Sequence, residues 1–87
     1  MSGKSFTREE VALHNKPNDA WIIIAGKVYD VSKFLSQHPG GSKILLQVAG
    51  KDATTQFQSL HQPTVLGEYA NLEIGVIRNS KKLFNNY

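Results

Sequence analysis

Cysteine is absent from this 87-residue chain, and that absence closes several routes at once. No disulfide can staple the fold, although a chain this short buries a modest share of its surface and often needs a staple. Three dispersed histidines without thiolates are also too few for a structural zinc site. Long apolar runs are missing too: nothing approaches the ~18 consecutive apolar residues of a membrane-spanning helix. The opening Met1-Ser2-Gly3-Lys4-Ser5 lacks the apolar stretch of a signal peptide, and the end, Asn79 to Tyr87, is polar and basic. The expectation is a cytoplasmic or otherwise soluble protein. Strong charge of one sign is scarce as well. Ten Lys and Arg against seven Asp and Glu leave +3, and the lysines are dispersed, which argues against nucleic acid as a partner. No internal repeat or low-complexity segment interrupts the chain. It is expected to form a single small domain over 6–78, monomeric, with flexible tails at 1–5 and 79–87.

What is present centres on His38-Pro39-Gly40-Gly41. Proline fixes φ and supplies no N–H, and glycine lets the backbone bend where a Cβ would clash. Such a loop suits an imidazole whose ring nitrogen must point into a cavity. Neutral imidazole is the commonest protein ligand for metals and also binds haem iron. A second histidine, His61, lies 23 positions further on, beyond an apolar, helix-forming segment.

The coarse reading of the elements is α+β. Thr7-Arg8-Glu9-Glu10 is a capping-box pattern and opens a helix over about Arg8 to His14. Trp21-Ile22-Ile23-Ile24-Ala25 reads as a buried strand, Ala25-Gly26-Lys27 as a tight reversal, and Lys27 to Val31 as the returning strand of a hairpin. Ser32 starts a helical turn that ends near His38. Gly41-Ser42 starts a helix through Ile44, Leu45, Leu46 and Val48, with Gly50 as its stop. Asp52 fits an N-cap for a helix over Ala53 to Gln58. Pro63 opens a further helix to about Tyr69, and Glu73 to Ile77 is a last strand. Each histidine thus stands between two helices. Two helical pairs form walls, with one histidine at each mouth of a slot that a flat ring would fit. Trp21 is expected on the far side of the sheet, in a smaller core with Val11, Leu13 and Ile77, and His14 is read as a surface or capping residue.

Phe34-Leu35-Ser36-Gln37-His38-Pro39-Gly40-Gly41, then Ala49-Gly50-Lys51-Asp52-Ala53-Thr54-Thr55-Gln56-Phe57, then Leu60-His61, resembles the cytochrome b5 haem-binding domain from about Phe6 to about Ile77. The histidine spacing, with Pro63 and Tyr69 after it, is closest to the haem domains of flavocytochrome b2-type lactate dehydrogenases, nitrate reductases and sulfite oxidases. The resemblance implies the cytochrome b5-like fold, a small mixed sheet with two helical hairpins forming a haem pocket. His38 and His61 are then the axial ligands of haem b. Pro39 and Gly40 belong to the ligand loop, and Val31, Phe34, Ile44, Leu45, Phe57, Leu60 and Leu72 match haem-contact positions. Tyr69 matches a residue that contacts a haem propionate, with Gln62 as a weaker candidate. Without cysteine the thioether attachment motif cannot occur, so the haem is held non-covalently.

Two imidazoles fill both axial positions and leave no vacancy for oxygen or substrate, which favours one-electron transfer. The implied donor is a flavin-containing reductase or domain, and the acceptor a haem or metal protein. The chain itself is then a carrier and not an enzyme, unless it is the haem domain of a larger flavin- or molybdenum-dependent oxidoreductase. A haem- or steroid-binding regulatory role is disfavoured by the paired histidines. One departure stands out. Where microsomal cytochromes b5 carry acidic residues near the haem edge, this chain has Ser42-Lys43 and Gln58-Ser59.

Overall fold

The computed structural model of the protein describes residues 3–37, 42–62 and 64–78. In chain order the elements are β1 (Ser5–Phe6), α1 (Arg8–Ala12), β2 (Asn15–Lys16), β3 (Asp19–Ile24), β4 (Lys27–Asp30), α2 (Ser32–Gln37), α3 (Ser42–Gln47), α4 (Thr54–Leu60), α5 (Val65–Glu68), a 3-10 turn (Ala70–Leu72) and β5 (Glu73–Ile77). The five strands form one sheet in the order β1-β5-β4-β3-β2. β1 and β5 run parallel, and the other neighbours are antiparallel. Strands and short helices without regular alternation make the protein α+β, as expected.

β3 organises the interior. Successive side chains of a strand point to opposite faces. Ala20, Ile22 and Ile24 accordingly join a front core with Tyr29, Val31, Leu35, Ala49 and Ala53. Trp21 and Ile23 join a back core with Val11 and Val28, packed against Phe6, Ile74 and Ile77. An apolar run is what a strand covered on both faces requires. α1 covers the back, and α2 to α5 stand over the front.

The hairpin closes on two residues. Ile24 pairs with Lys27, and Ala25 and Gly26 between them have φ of +52° and +81°. Positive φ at both central positions suits the right-handed twist of the flanking strands. Glycine meets that demand freely, whereas Ala25 does so at a cost.

Several boundaries differ from expectation. The Thr7 capping box is present in full, with Glu10 N–H donating to the Thr7 hydroxyl at 3.1 Å. α1 nevertheless ends at Ala12, because the chain turns into β2 and Trp21 N–H bonds His14 O at 3.0 Å. Leu13 lies two positions, about 200° of helical rotation, past the buried Val11, and it is 70% exposed instead of joining the back core. Ser5, expected in a tail, begins β1, and Lys4 O accepts a bond from Val76 N–H at 3.1 Å. The N-cap of α4 is Ala53, not Asp52. α5 spans Val65–Glu68, and the path to Leu72 is completed by the 3-10 turn. Gly50 does end the α3 segment, in the left-handed region at φ +78°, and donates to Trp21 O at 2.6 Å. No helix among the described residues is long and apolar enough to cross a membrane.

Candidate functional site: an apolar cleft edged by His61

The helices in front of the sheet hold a cleft between them. It consists of adjoining chambers of about 260, 60 and 60 Å³ that all share Ile24, Phe57 and His61. Their combined size reaches the range of cofactor sites, which begins at about 300 Å³. Ile22 and Ile24 of β3 and Tyr29 of β4 form the floor. Leu45 and Val48 from the α3 side and Ala53, Phe57 and Leu60 from the α4 side flank one chamber, with Ile44 at its edge. Phe34, Leu66, Tyr69 and Leu72 close another. The lining is almost wholly apolar. Among the described residues the polar groups that reach it are few: Gln56, Gln58, His61 and the two tyrosines.

His61 stands where α4 ends. Its extended backbone (φ −136°, ψ 152°) breaks the helix, and its N–H donates to Phe57 O at 2.9 Å. The ring lies against the Phe57 ring, with centroids 4.6 Å apart and planes inclined by 26°. Nδ1 is 3.4 Å from the same Phe57 carbonyl oxygen. A proton on Nδ1 facing that oxygen leaves the Nε2 lone pair for a metal, the arrangement that orients ligating histidines.

Tyr69 meets Phe34 edge to face, ring centroids 5.1 Å apart, which ties α2 to the end of α5. Tyr29 is buried on the cleft floor. Burial pushes its phenol pKa up, and the Glu73 carboxylate adds to the rise, so the hydroxyl stays neutral.

Of the residues singled out from sequence, Phe34, Ile44, Leu45, Phe57, Leu60, His61, Tyr69 and Leu72 line these chambers. Val31 is 3% exposed in the front core and is not among the described residues that line these three chambers. Gln62 is exposed and likewise outside them. His38, Pro39 and Gly40 lie outside the described residues, as do Gly41 and Pro63. Sequence reasoning missed Ala25, Leu66, Val48 and the floor residues Ile22, Ile24 and Tyr29. Strand alternation carried the signal for the floor. Nothing in the sequence sets Leu66 apart from an ordinary core leucine.

The described residues suit a large apolar ring with a metal at its centre: they give an apolar slot with the His61 imidazole at its edge, its Nε2 available when Nδ1 carries the proton, and the sequence has no thiol for covalent attachment. Residues 7–78 match the family profile described as the Cytochrome b5-like Heme/Steroid binding domain. The chain belongs to that family. It is 59% identical over 58 residues to a cytochrome b5 of Borago officinalis, a match that covers 67% of this chain and 44% of that protein. It is 46% identical over 69 residues to the L-lactate dehydrogenase (cytochrome) of Saccharomyces cerevisiae, covering 79% of this chain and 12% of the enzyme. Among solved structures, the cytochrome b5 of Ostreococcus tauri virus 2 superposes with a TM-score of 0.76 at 44% identity, over 83% of this chain and 94% of that one. The chain therefore spans less than half the length of the two curated relatives. This cytochrome b5-like domain has the fold of its family.

Proposed function

We propose that this cytochrome b5-like domain is a one-electron carrier that holds haem b non-covalently between the imidazoles of His38 and His61. The observation that carries the reading is His61 at the cleft's edge, its ring bordering every chamber and its Nδ1 facing the Phe57 carbonyl. Haem bound there would supply an iron that changes by one electron. Imidazoles on both sides would leave no axial position for oxygen or peroxide, and the ligand set would stay the same in both oxidation states.

The remaining residues shape and tune the slot. Phe34, Ile44, Leu45, Phe57, Leu60 and Leu72 would face the ring, with Val31 packed behind them. Pro39 and Gly40 would set the bend that presents His38. Tyr69 and Gln62 would meet the propionates. The apolar walls lower the local dielectric and disfavour the extra positive charge of the ferric state. Electrons would come from a flavin-containing reductase or domain and leave to a haem or metal protein, so the chain itself would not be an enzyme. A second reading, a haem domain within a larger flavin- or molybdenum-dependent oxidoreductase, is favoured by the match to a stretch making up only 12% of the yeast dehydrogenase.

The test is the absorption spectrum of the dithionite-reduced protein with hemin, beside His38→Ala and His61→Ala. The parent protein is expected to be six-coordinate and low-spin, unchanged by carbon monoxide, and each variant is expected to lose that character. A ready carbon monoxide adduct in the parent, or a low-spin spectrum kept by either variant, would overturn the assignment. The cleft's edge also predicts partner behaviour. α4 carries no charged residue and α3 only Lys43. Electron transfer to cytochrome c is therefore expected to change less than about threefold as salt rises from about 50 to about 500 mM. A steep fall measured by stopped flow would contradict a neutral docking edge.

A further inference from the structure

We propose that Thr54 is a positioning residue for His61: its hydroxyl anchors the first turn of α4 to the β3–β4 turn and thereby sets where the imidazole at the far end of the helix sits. The inference rests on reading His61 as a haem ligand.

Thr54 Oγ1 accepts a hydrogen bond from Ala25 N–H at 2.8 Å and donates to Asp52 Oδ1. The same carboxylate oxygen accepts from Thr54 N–H at 3.0 Å, and Asp52 Oδ2 accepts from Arg8 Nη1 at 3.1 Å. One hydroxyl thus joins three parts of the fold: the hairpin turn, the start of α4 and, through Asp52, the start of α1. Backbone bonds already strap the approach to α4 onto β3. Ala53 N–H donates to Ile23 O at 2.7 Å, and Ile23 N–H donates to Lys51 O at 3.0 Å. A helix fastened along one strand can still swing about that line. The Thr54–Ala25 bond fastens it to the turn beyond the strand and opposes the swing.

Leverage makes this consequential. α4 is seven residues long. At 1.5 Å per residue, a tilt of about 6° at its start moves its far end by about 1 Å. Binding side chains generally must sit within about 0.5 Å of their working positions. His61 follows the last residue of α4, and both its N–H and its Nδ1 refer back to Phe57 O, so the imidazole travels with the helix.

The other end of the bond explains why a hydroxyl is wanted there. Ala25 has a left-handed backbone, uncommon for a residue with a Cβ. Its N–H lies in the two-residue turn, outside the β-ladder, and Thr54 supplies the acceptor. Ala25 also borders the same chamber as Phe57 and His61. The shape of the turn and the pitch of the helix are therefore fixed together, on the edge of the slot.

The experiment compares hemin-bound parent, Thr54→Val and Thr54→Ser. Two quantities are read: hemin loss to excess apomyoglobin, and the g-values of the low-spin ferric signal, which report axial-ligand orientation. Loss of the hydroxyl is expected to speed hemin release about tenfold and shift the g-values, whereas Thr54→Ser stays within about twofold with the parent's signal. Thr54→Ala gives the same comparison should the valine variant fail to fold. Val11→Ala, in the back core, serves as a control for general destabilisation. Parent-like release and g-values in Thr54→Val would overturn the proposal. So would release no faster than in Val11→Ala at equal loss of melting temperature, because the role would then be structural only. His61→Ala run alongside separates the two readings: a retained six-coordinate low-spin signal there would remove the ligand assignment, whatever Thr54 does.

Discussion

The two faces of the sheet are closed in different ways. Behind it, Val11, Ile23 and Val28 are at most 1% exposed, and Phe6, Trp21, Ile74 and Ile77 seal them in. In front, the sheet residues are as well buried, yet α3, α4 and α5 contribute no buried residue, and Ile44 and Leu60 stand 53% and 65% exposed. β3 supplies both faces by simple alternation. Hydrophobicity of the strand therefore does not distinguish a packing face from a binding face. The helices do. α2 to α5 are four to seven residues long, too short to be stable by themselves, and they direct apolar side chains toward one another across a gap instead of filling it.

The largest expected effect tests that contrast directly. Ile23→Ala empties a sealed position and should cost about 3 kcal/mol in urea denaturation followed by Trp21 fluorescence. Leu60→Ala removes a larger share of exposed side chain and should cost less than about 0.5 kcal/mol without hemin, while weakening hemin retention. Equal losses of stability from the two substitutions would erase the distinction between the faces.

A smaller effect is expected at the seam between them. Asp52 links Arg8 of α1, on the back, with Thr54 of α4, on the front. The Thr54 hydroxyl holds the Asp52 carboxyl below the usual carboxylate range; burial opposes it, and the Thr54 amide and Arg8 reinforce it. A carboxyl whose pKa is lower in the folded than in the unfolded chain binds fewer protons when folded. Its contribution is therefore present above the unfolded value of about 3.9 and is lost as pH falls through the folded one. Asp52→Asn should reduce stability at pH 7 and flatten the loss between about pH 5 and pH 2. A parent and variant that lose stability in parallel on acidification would show that the seam carries no linked proton. The Arg8–Asp52 pair is half exposed, at 58% and 40%, so most of the effect belongs to the Thr54 contacts.

Much of this was legible in the chain because local chemistry agreed with the fold. The capping box at Thr7, the left-handed stop at Gly50 and the last strand, Glu73–Ile77, follow from residue types that admit few alternatives. The histidine pattern and the Ala-Gly-x-Asp-Ala-Thr segment identified the family, and Phe57, Leu60 and His61 do border one cleft. What was not legible depended on tertiary partners. Asp52 has the chemistry of an N-cap, and its carboxylate does accept the Thr54 amide, but the helix begins one residue later than expected and the same carboxylate also takes the Thr54 hydroxyl and the distant Arg8. His14 has the look of a surface or capping residue, and its side chain is still 29% exposed. Its partners were not legible: it stacks on Trp21 with centroids 3.6 Å apart and reaches Asp19 Oδ1 at 2.7 Å, contacts that come with the β2–β3 pairing. β1 is two residues long, too short for any periodic signal, and exists only because β5 offers it an edge.

The smallest effect bears on the strain at the front edge. Ala25 occupies the left-handed region at φ +52°, which costs a residue with a Cβ about 1–2 kcal/mol. Ala25→Gly would relieve that cost but would also free the unfolded chain, a penalty of about 0.5–1 kcal/mol. The difference favours the glycine variant by about 0.5 kcal/mol, since its N–H still reaches Thr54 Oγ1. Urea denaturation should therefore show a slightly higher midpoint with an unchanged slope. A lower midpoint would mean that the alanine methyl, on the wall of the chamber it shares with Phe57 and His61, gains more from packing than the turn loses to strain. The front edge would then be stabilised by contact across the cleft, as the back core is by contact within it.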